Sequence, residues 1–389
     1  MTREAHFLIA PFPGAVLHYG HVMRHLMATG HQVHLWSMEP IDAALVDAEV
    51  PGLICHRLPL VRGDHGVVAA LRTAVASLAL GVRKPDALFT TWSLQTNLLC
   101  GVPLRALGRR CVFLVAGMGT VFSSDALRFR LARQVVAPTY RWLFRGEHSR
   151  VIVQNDDDVA FVTGVLGVRP DRVHRMHGCG VDPAAYPFAE RLPERRPRVV
   201  LVPARLVREK GIFEAAEASR LLLARGVEHE LWFSSDVDPG SPLSLTRAEA
   251  DDLPRRSPAI RVLGHPPSIA PLLAAAHVVC LPTYREGLPT ALLEAAAAGR
   301  PIVTTDAIGP RDVVRHDHSG LLVPVRDPHA LADALERVLT DDALAERLRR
   351  AAHADYLRRG TRAATLAQAL VAYHSLGVPE GPPASLASR

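Results

Sequence analysis

The chain has 389 residues, is 48% hydrophobic and 22% charged, and carries a net charge of +6. That length suits two domains with separate cores, and the composition is that of an ordinary soluble globular protein. The longest apolar run, Val67 to Val82, contains Arg72 and is too short to span a bilayer. Five scattered cysteines, an odd number, show no metal-ligand spacing and read as reduced, mostly buried thiols.

The N-terminus runs straight into strand-like His6 to Ala10, the start expected of a cytoplasmic chain without a leader. A loop, Pro11 to Ala15, and a helix from about His18 to Ala28 lead to a second strand, His31 to Trp36. Gly14 in that loop lets backbone approach a phosphate, although a plain turn explains it equally and no dinucleotide fingerprint is present. Further strands are predicted at Gly52 to Arg57, Ala87 to Thr91, Arg110 to Val115 and Val151 to Gln154. Helices are predicted between them at Val67 to Val82, Leu94 to Ala106, and Leu127 to Phe144 with a break near Pro138. This alternation predicts a parallel, doubly wound α/β sheet.

Charge is uneven along this half. Residues 101–150 hold nine arginines against Asp125 and Glu147. Such a segment favours an anionic partner: nucleic acid, a phosphorylated acceptor or a membrane surface. No nucleic-acid recognition motif accompanies it. In Leu127 to Phe144, Arg128, Arg133 and Arg141 interleave with apolar residues including Trp142. A basic amphipathic helix lying on an anionic bilayer and a packed helix with a solvated arginine face both fit that pattern. Asp156-Asp157-Asp158 reads as a helix cap before Val159 to Leu166 rather than as a metal site.

The polar, Pro-rich stretch through Pro197 marks a linker, and the pattern then repeats. The N-terminal domain is set at residues 1–185 and the C-terminal domain at 186–360. A helix at 361–376 and a tail at 377–389, expected to be disordered, follow. In the second unit, Val278 to Pro282 reads as a buried strand, Tyr284 to Thr290 as a strand-to-helix turn, and Ala291 to Ala298 as a helix stopped at Gly299-Arg300-Pro301.

Loops at the carboxyl ends of strands converge in a doubly wound sheet. Here they carry Arg205 and Lys210, His265, and Glu286 with Gly287-Leu288-Pro289. Lys210 and Lys84 are the only lysines among 45 basic residues, and a compact point charge suits a phosphate at close quarters. Two cations beside a helix N-terminus make a diphosphate site. Glu294, eight residues after Glu286, can accept two ribose hydroxyls, and Glu286 the hydroxyls of a second sugar. The bland alternative is a capped helix with a solvated glutamate. The ligand is expected between the carboxyl ends of two sheets.

Ala204-Arg205 with Lys210-Gly211, Tyr284-Arg285-Glu286-Gly287-Leu288-Pro289 through Glu294, Gly299-Arg300-Pro301 and Gly320-Leu321-Leu322-Val323-Pro324 resemble the GT4 family of retaining glycosyltransferases. The resemblance implies the GT-B fold, two Rossmann-like domains facing across a cleft. It implies that Arg205 and Lys210 bind a donor diphosphate, that Glu286 contacts the donor sugar and that Glu294 binds ribose. It further implies that the Gly287-Leu288-Pro289 backbone meets the donor, that Gly14 closes on the phosphates, and that the last helix crosses back to the first domain. Gly117-Met118-Gly119, Gln154-Asn155-Asp156-Asp157 and Gly178-Cys179-Gly180 resemble the branch that extends undecaprenyl-diphosphate-linked sugars. Met118 stands near where many members have a sugar-contacting histidine, and Asp312 where a glutamate is common.

The implied activity is transfer of a sugar, with retention, from a UDP-linked donor to a lipid-linked saccharide in polysaccharide synthesis. Arg205, Lys210 and Glu286 would be catalytic; no metal and no cofactor are required. The implied location is cytoplasmic, peripheral on the inner membrane face. A soluble natural-product acceptor and a non-catalytic sugar-nucleotide-binding protein are the alternatives, the second weakened by the intact charged set.

Overall fold

The computed structural model describes residues 3–9, 12–59, 66–117, 122, 127–238 and 243–381. Two parallel sheets organise them. The first contains β1 (Arg3–Ile9), β2 (His31–Ser37), β3 (Ile54–Arg57), β4 (Leu88–Trp92), β5 (Arg110–Val115), β6 (Ser149–Val153) and β7 (Val173–Arg175) in the order β3-β2-β1-β4-β5-β6-β7. The second contains β8 (Arg198–Val202), β9 (His229–Phe233), β10 (Ile260–Val262), β11 (Val278–Leu281), β12 (Ile302–Thr305) and β13 (Leu321–Val323) in the order β10-β9-β8-β11-β12-β13. Both are doubly wound, with the order reversing between the first and fourth strands. In the second sheet the central strand Val278–Leu281 is a continuous apolar run, buried throughout, as a strand covered on both faces requires.

The contacts divide the chain into two units. One holds everything up to Cys179 together with the chain from Arg362 onward, and the other is Gly180–Thr361. The helix Arg362–His374 buries Leu366, Ala369, Leu370 and Tyr373 in the core of the first unit. The Tyr373 hydroxyl lies 3.1 Å from Thr90 Oγ1. The segment after it is not a disordered tail over its described part, since Val378 is buried in the same core.

In the second unit, the stretch read as a linker packs on its own domain. Fully buried Arg349 donates to the carbonyls of Ala189 and Glu190 at 2.6 Å each, and its guanidinium stacks 4.9 Å from the Phe188 ring. Planar, multiply donating arginine suits this task, because one guanidinium can meet both carbonyls while stacking on the ring.

Several local expectations change. The first helix is Phe12–Ala28, so Gly14 sits in its first turn and not in a loop. Pro13 occupies an early position that needs no N–H, and Glu39 Oε2 accepts the Phe12 N–H at 2.9 Å. Leu127–Phe144 runs through Pro138 unbroken. Gln134 and Pro138 are exposed there, so the carbonyl that loses its partner faces water. At 156–158 the cap is Asn155, whose side chain accepts from the Asp158 N–H at 2.8 Å, while Asp156 pairs with Arg175 at 3.1 Å. The helix beginning there ends in a π-turn, Phe161–Val165. The strand β7 and the short helices Ala43–Glu49 and Pro310–Val313 carried no predicted element.

Candidate active site

The second unit's order reversal falls between β8 and β11, which pair through Val200 and Val278. The loops leaving these two strands are tied together by backbone. The Tyr284 N–H donates to the Glu209 carbonyl at 2.9 Å, and Thr283 Oγ1 donates to the same oxygen at 3.1 Å. A third loop, after β12, joins them where the Glu286 N–H donates to the Ile308 carbonyl at 3.0 Å. Two glycines permit this convergence. Gly211 has φ +68°, and a Cβ there would lie 2.1 Å from the Pro282 carbonyl oxygen; a Cβ on Gly309 would lie 2.8 Å from the Glu286 carbonyl oxygen.

This framework holds Lys210 and Glu286 in direct contact, Nζ against Oε1, with both side chains largely buried. Arg205, on the same loop as Lys210, is half exposed and pairs with Asp238 Oδ2 at 2.9 Å. Glu294 lies on the helix Thr290–Ala297, and its Oε1 accepts from the Tyr186 hydroxyl at 2.9 Å. Leu288 turns its side chain into the core, so within Gly287-Leu288-Pro289 that residue offers a ligand only backbone. His265 follows the edge strand β10, two strands from β8, and is exposed. Lys210, Glu286 and Arg205 thus share one end of one sheet, Glu294 lies on the helix that leaves it, and His265 stands at its margin.

Sequence reading passed over the partners of these groups. Asp238 lies 33 residues from Arg205 and Tyr186 lies 108 from Glu294, so no local pattern marks either pair. Tyr284 also acquires a role: its hydroxyl donates to Glu214 Oε1 at 2.6 Å and its ring carries the Arg326 guanidinium 4.6 Å from the centroid. Burial and the adjacent Glu214 carboxylate push the Tyr284 phenol up to about 12, so it remains a donor.

The residues singled out in the first unit lie apart from this group in the chain. Gly14 faces Trp92, where a Cβ would approach the ring at 3.4 Å. Met118 and the Arg128 side chain fall outside the described residues. Arg133 is half-buried. Arg141 donates to the Val165 carbonyl at 3.1 Å, and exposed Trp142 lies 5.2 Å from the Arg105 guanidinium carbon.

Chemically, the second-unit group offers two cations whose charges are balanced by carboxylates, and a separate carboxylate oriented by a tyrosine. Fixed cations stabilise charge on a departing anion, and carboxylates accept hydroxyls. A sugar diphosphate presents both.

Residues 197–341 match the family model described as Glycosyl transferases group 1. Over 256 residues the chain is 25% identical to the N,N'-diacetylbacillosaminyl-diphospho-undecaprenol alpha-1,3-N-acetylgalactosaminyltransferase of Campylobacter jejuni. That match covers 63% of this chain and 65% of the relative, so the chain spans just under two thirds of the relative's length. Among solved structures, sucrose-phosphate synthase from Thermosynechococcus elongatus aligns with a TM-score of 0.80 at 20% identity, covering 96% of this chain and 99% of that one. Alr3699/HepE of Anabaena in complex with UDP-glucose aligns with a TM-score of 0.74 at 16% identity, also covering 96% and 99%. The fold is GT-B.

Proposed function

We propose that this chain, which belongs to the GT4-type glycosyltransferases, moves a sugar with retention from a UDP-linked donor to a polyprenyl-diphosphate-linked saccharide in polysaccharide synthesis. The observation that carries the proposal is the Lys210–Glu286 contact at the order reversal of the second sheet, with Arg205 on the same loop as Lys210 and Glu294 on the helix that follows the Glu286 turn. The UDP-glucose complex of Alr3699/HepE supports the donor class, and the name of the Campylobacter jejuni relative supports the acceptor class.

In this reading Lys210 and Arg205 bind the diphosphate. A diphosphate carries more charge than a carboxylate, so its arrival at Lys210 releases Glu286 to accept hydroxyls of the transferred sugar. Glu294, already oriented by Tyr186, accepts the ribose hydroxyls. The acceptor hydroxyl attacks the anomeric carbon from the face the diphosphate leaves. The bond from that carbon to the phosphate oxygen breaks, the glycosidic bond forms, and the hydroxyl proton passes to a phosphate oxygen. Two fixed cations supply the charge stabilisation, so the scheme needs no metal. Among the described residues no helix is long and apolar enough to cross a membrane.

The test offers UDP-, GDP- and ADP-sugars with an undecaprenyl-diphosphate saccharide, and reads nucleotide release and the anomeric configuration of the product by NMR. Release from a UDP-sugar that depends on acceptor, with retained configuration, is expected. Absence of nucleotide release from every donor would sink the enzymatic reading, and an inverted product would sink the mechanism.

A further inference from the structure

The helix Val67–Arg83 is built inside out. Its buried positions are Thr73, Ser77 and Gly81, one every four residues. Thr73 Oγ1 donates to the Ala69 carbonyl at 3.0 Å and Ser77 Oγ to the Thr73 carbonyl at 2.9 Å, so these hydroxyls are satisfied within the helix. Their small size lets the backbone approach closely: a Cβ on Gly81 would meet Leu107 at 2.8 Å and Leu104 at 2.9 Å. Apart from Ala69 and Leu80, which pack partly buried against the core, the larger apolar residues point the other way. Val67, Leu71, Val75, Leu78 and Val82 are all exposed, Val67 by 75% and Leu71 by 62%. At 100° per residue they form one stripe about 80° wide. A soluble surface does not ordinarily leave such a stripe uncovered.

A second stripe lies on Leu127–Phe144, where Leu131 is 56% and Val135 70% exposed, in line with Leu127 and Trp142. The two helices share a face of the first sheet. The connections β3 to β4, β4 to β5 and β5 to β6 all step the same way across it, and right-handed crossovers place their helices on one side. The helix Gly101–Ala106 packs against both, which sets the stripes on either flank of it.

Charge identifies the occupant. Neither helix contains an acidic residue, and exposed Arg72, Arg83, Arg130 and Arg141 accompany the stripes. A second copy of this face would bring like charges together, whereas an anionic bilayer offers hydrocarbon for the stripes and headgroups for the arginines. We propose that Val67–Arg83 and Leu127–Phe144 together form a two-helix docking face for an anionic lipid bilayer, with Val67–Arg83 as its main apolar element. This deepens the proposed use of a lipid-linked acceptor and rests on that reading for its purpose, but not for its physics.

The test is flotation of the full chain with phosphatidylcholine vesicles, with and without phosphatidylglycerol at about three parts in ten. Binding is expected only with the anionic lipid and should weaken with salt. The double variant Leu71→Glu/Val75→Glu, at exposed positions, should lower the bound fraction at least about tenfold. Leu357→Glu, at an exposed apolar position of the second unit, should leave it unchanged. Nucleotide release from a UDP-sugar in the absence of lipid should match wild type in both. Equal flotation of the double variant would overturn the proposal. So would a wild-type dimer, measured by sedimentation, that the double variant dissociates, since a second copy would then cover the face. Vesicle binding without any sugar transfer would instead defeat the functional reading alone.

Discussion

The two sheets share a strand order and differ in what stands where that order reverses. In the second unit a lysine and a glutamate meet there, held by backbone hydrogen bonds between three loops. In the first unit the position is aromatic. Trp92, at the end of β4, packs edge-on against Tyr19 at 4.8 Å and His18 at 6.2 Å, with Gly14 against the same ring. The same topology thus carries a charged pair at one reversal and an aromatic cluster at the other. The fold supplies the place, and the side chains on the loops decide the chemistry.

Glycine substitutions break this comparison most sharply. Gly211→Ala forces a Cβ onto the Pro282 carbonyl at a left-handed backbone position, so the Lys210 and Glu286 loops must separate. We expect more than a hundredfold loss of donor turnover, on the order of 3 kcal/mol in the transition state, measured as nucleotide release. Retained turnover would show that the loop junction does not position the site. Lys210→Ala and Glu294→Ala each remove one charged contact and should cost about a hundredfold in donor binding or turnover, read by calorimetric titration with UDP and by steady-state kinetics. Unchanged constants would move the donor site elsewhere.

Stability offers a smaller lever. Arg349→Ala leaves the Ala189 and Glu190 carbonyls without their donor and should destabilise the second unit by about 3 kcal/mol. Thermal unfolding followed by near-UV dichroism checks this, and a shift under about 2 °C would contradict it.

Acid should separate the two units next. Burial lowers His6 to about 4 in the first unit, and burial with Arg362 and Arg24 nearby lowers His21 to about 3. In the second unit burial lowers His277 to about 4. Unfolded histidine titrates near 6.5, so between about 6.5 and about 4 the unfolded chain binds more protons. Stability therefore falls as pH drops through that window, by on the order of 1.4 kcal/mol per pH unit for each such group. The first unit, with two of these histidines, should lose its urea resistance first; equal loss in both units would refute the assignment. Gly14→Ala is expected to do least. Its Cβ meets Trp92 at 3.4 Å, a contact a small adjustment relieves, and nucleotide release should change by under about threefold.

Much of the second unit could be read directly from residues. Val278–Leu281 is apolar at every position because a central parallel strand is covered on both faces. Once that strand is recognised, the charged turn after it must fall at the sheet's carboxyl edge. The first unit was less transparent. Pro11 to Ala15 looked like a loop because proline and glycine usually interrupt helices, yet Pro13 stands where a helix needs no donor. Pro138 misled in the same way, since its position on the exposed side cost the helix only a solvated carbonyl.

Local chemistry and periodicity were therefore sufficient for the alternation of strands and helices, the charged set around Glu286, and a helix over the apolar run Val67 to Val82. Only the tertiary structure decided which way the apolar residues of that helix point. A period of 3.6 residues makes a face without saying what covers it, and here Thr73, Ser77 and Gly81 take the inside because their small volume admits the neighbouring helix. It likewise decided that Arg205 meets Asp238 and Glu294 meets Tyr186, because partners brought together by parallel crossovers leave no spacing in the chain to read.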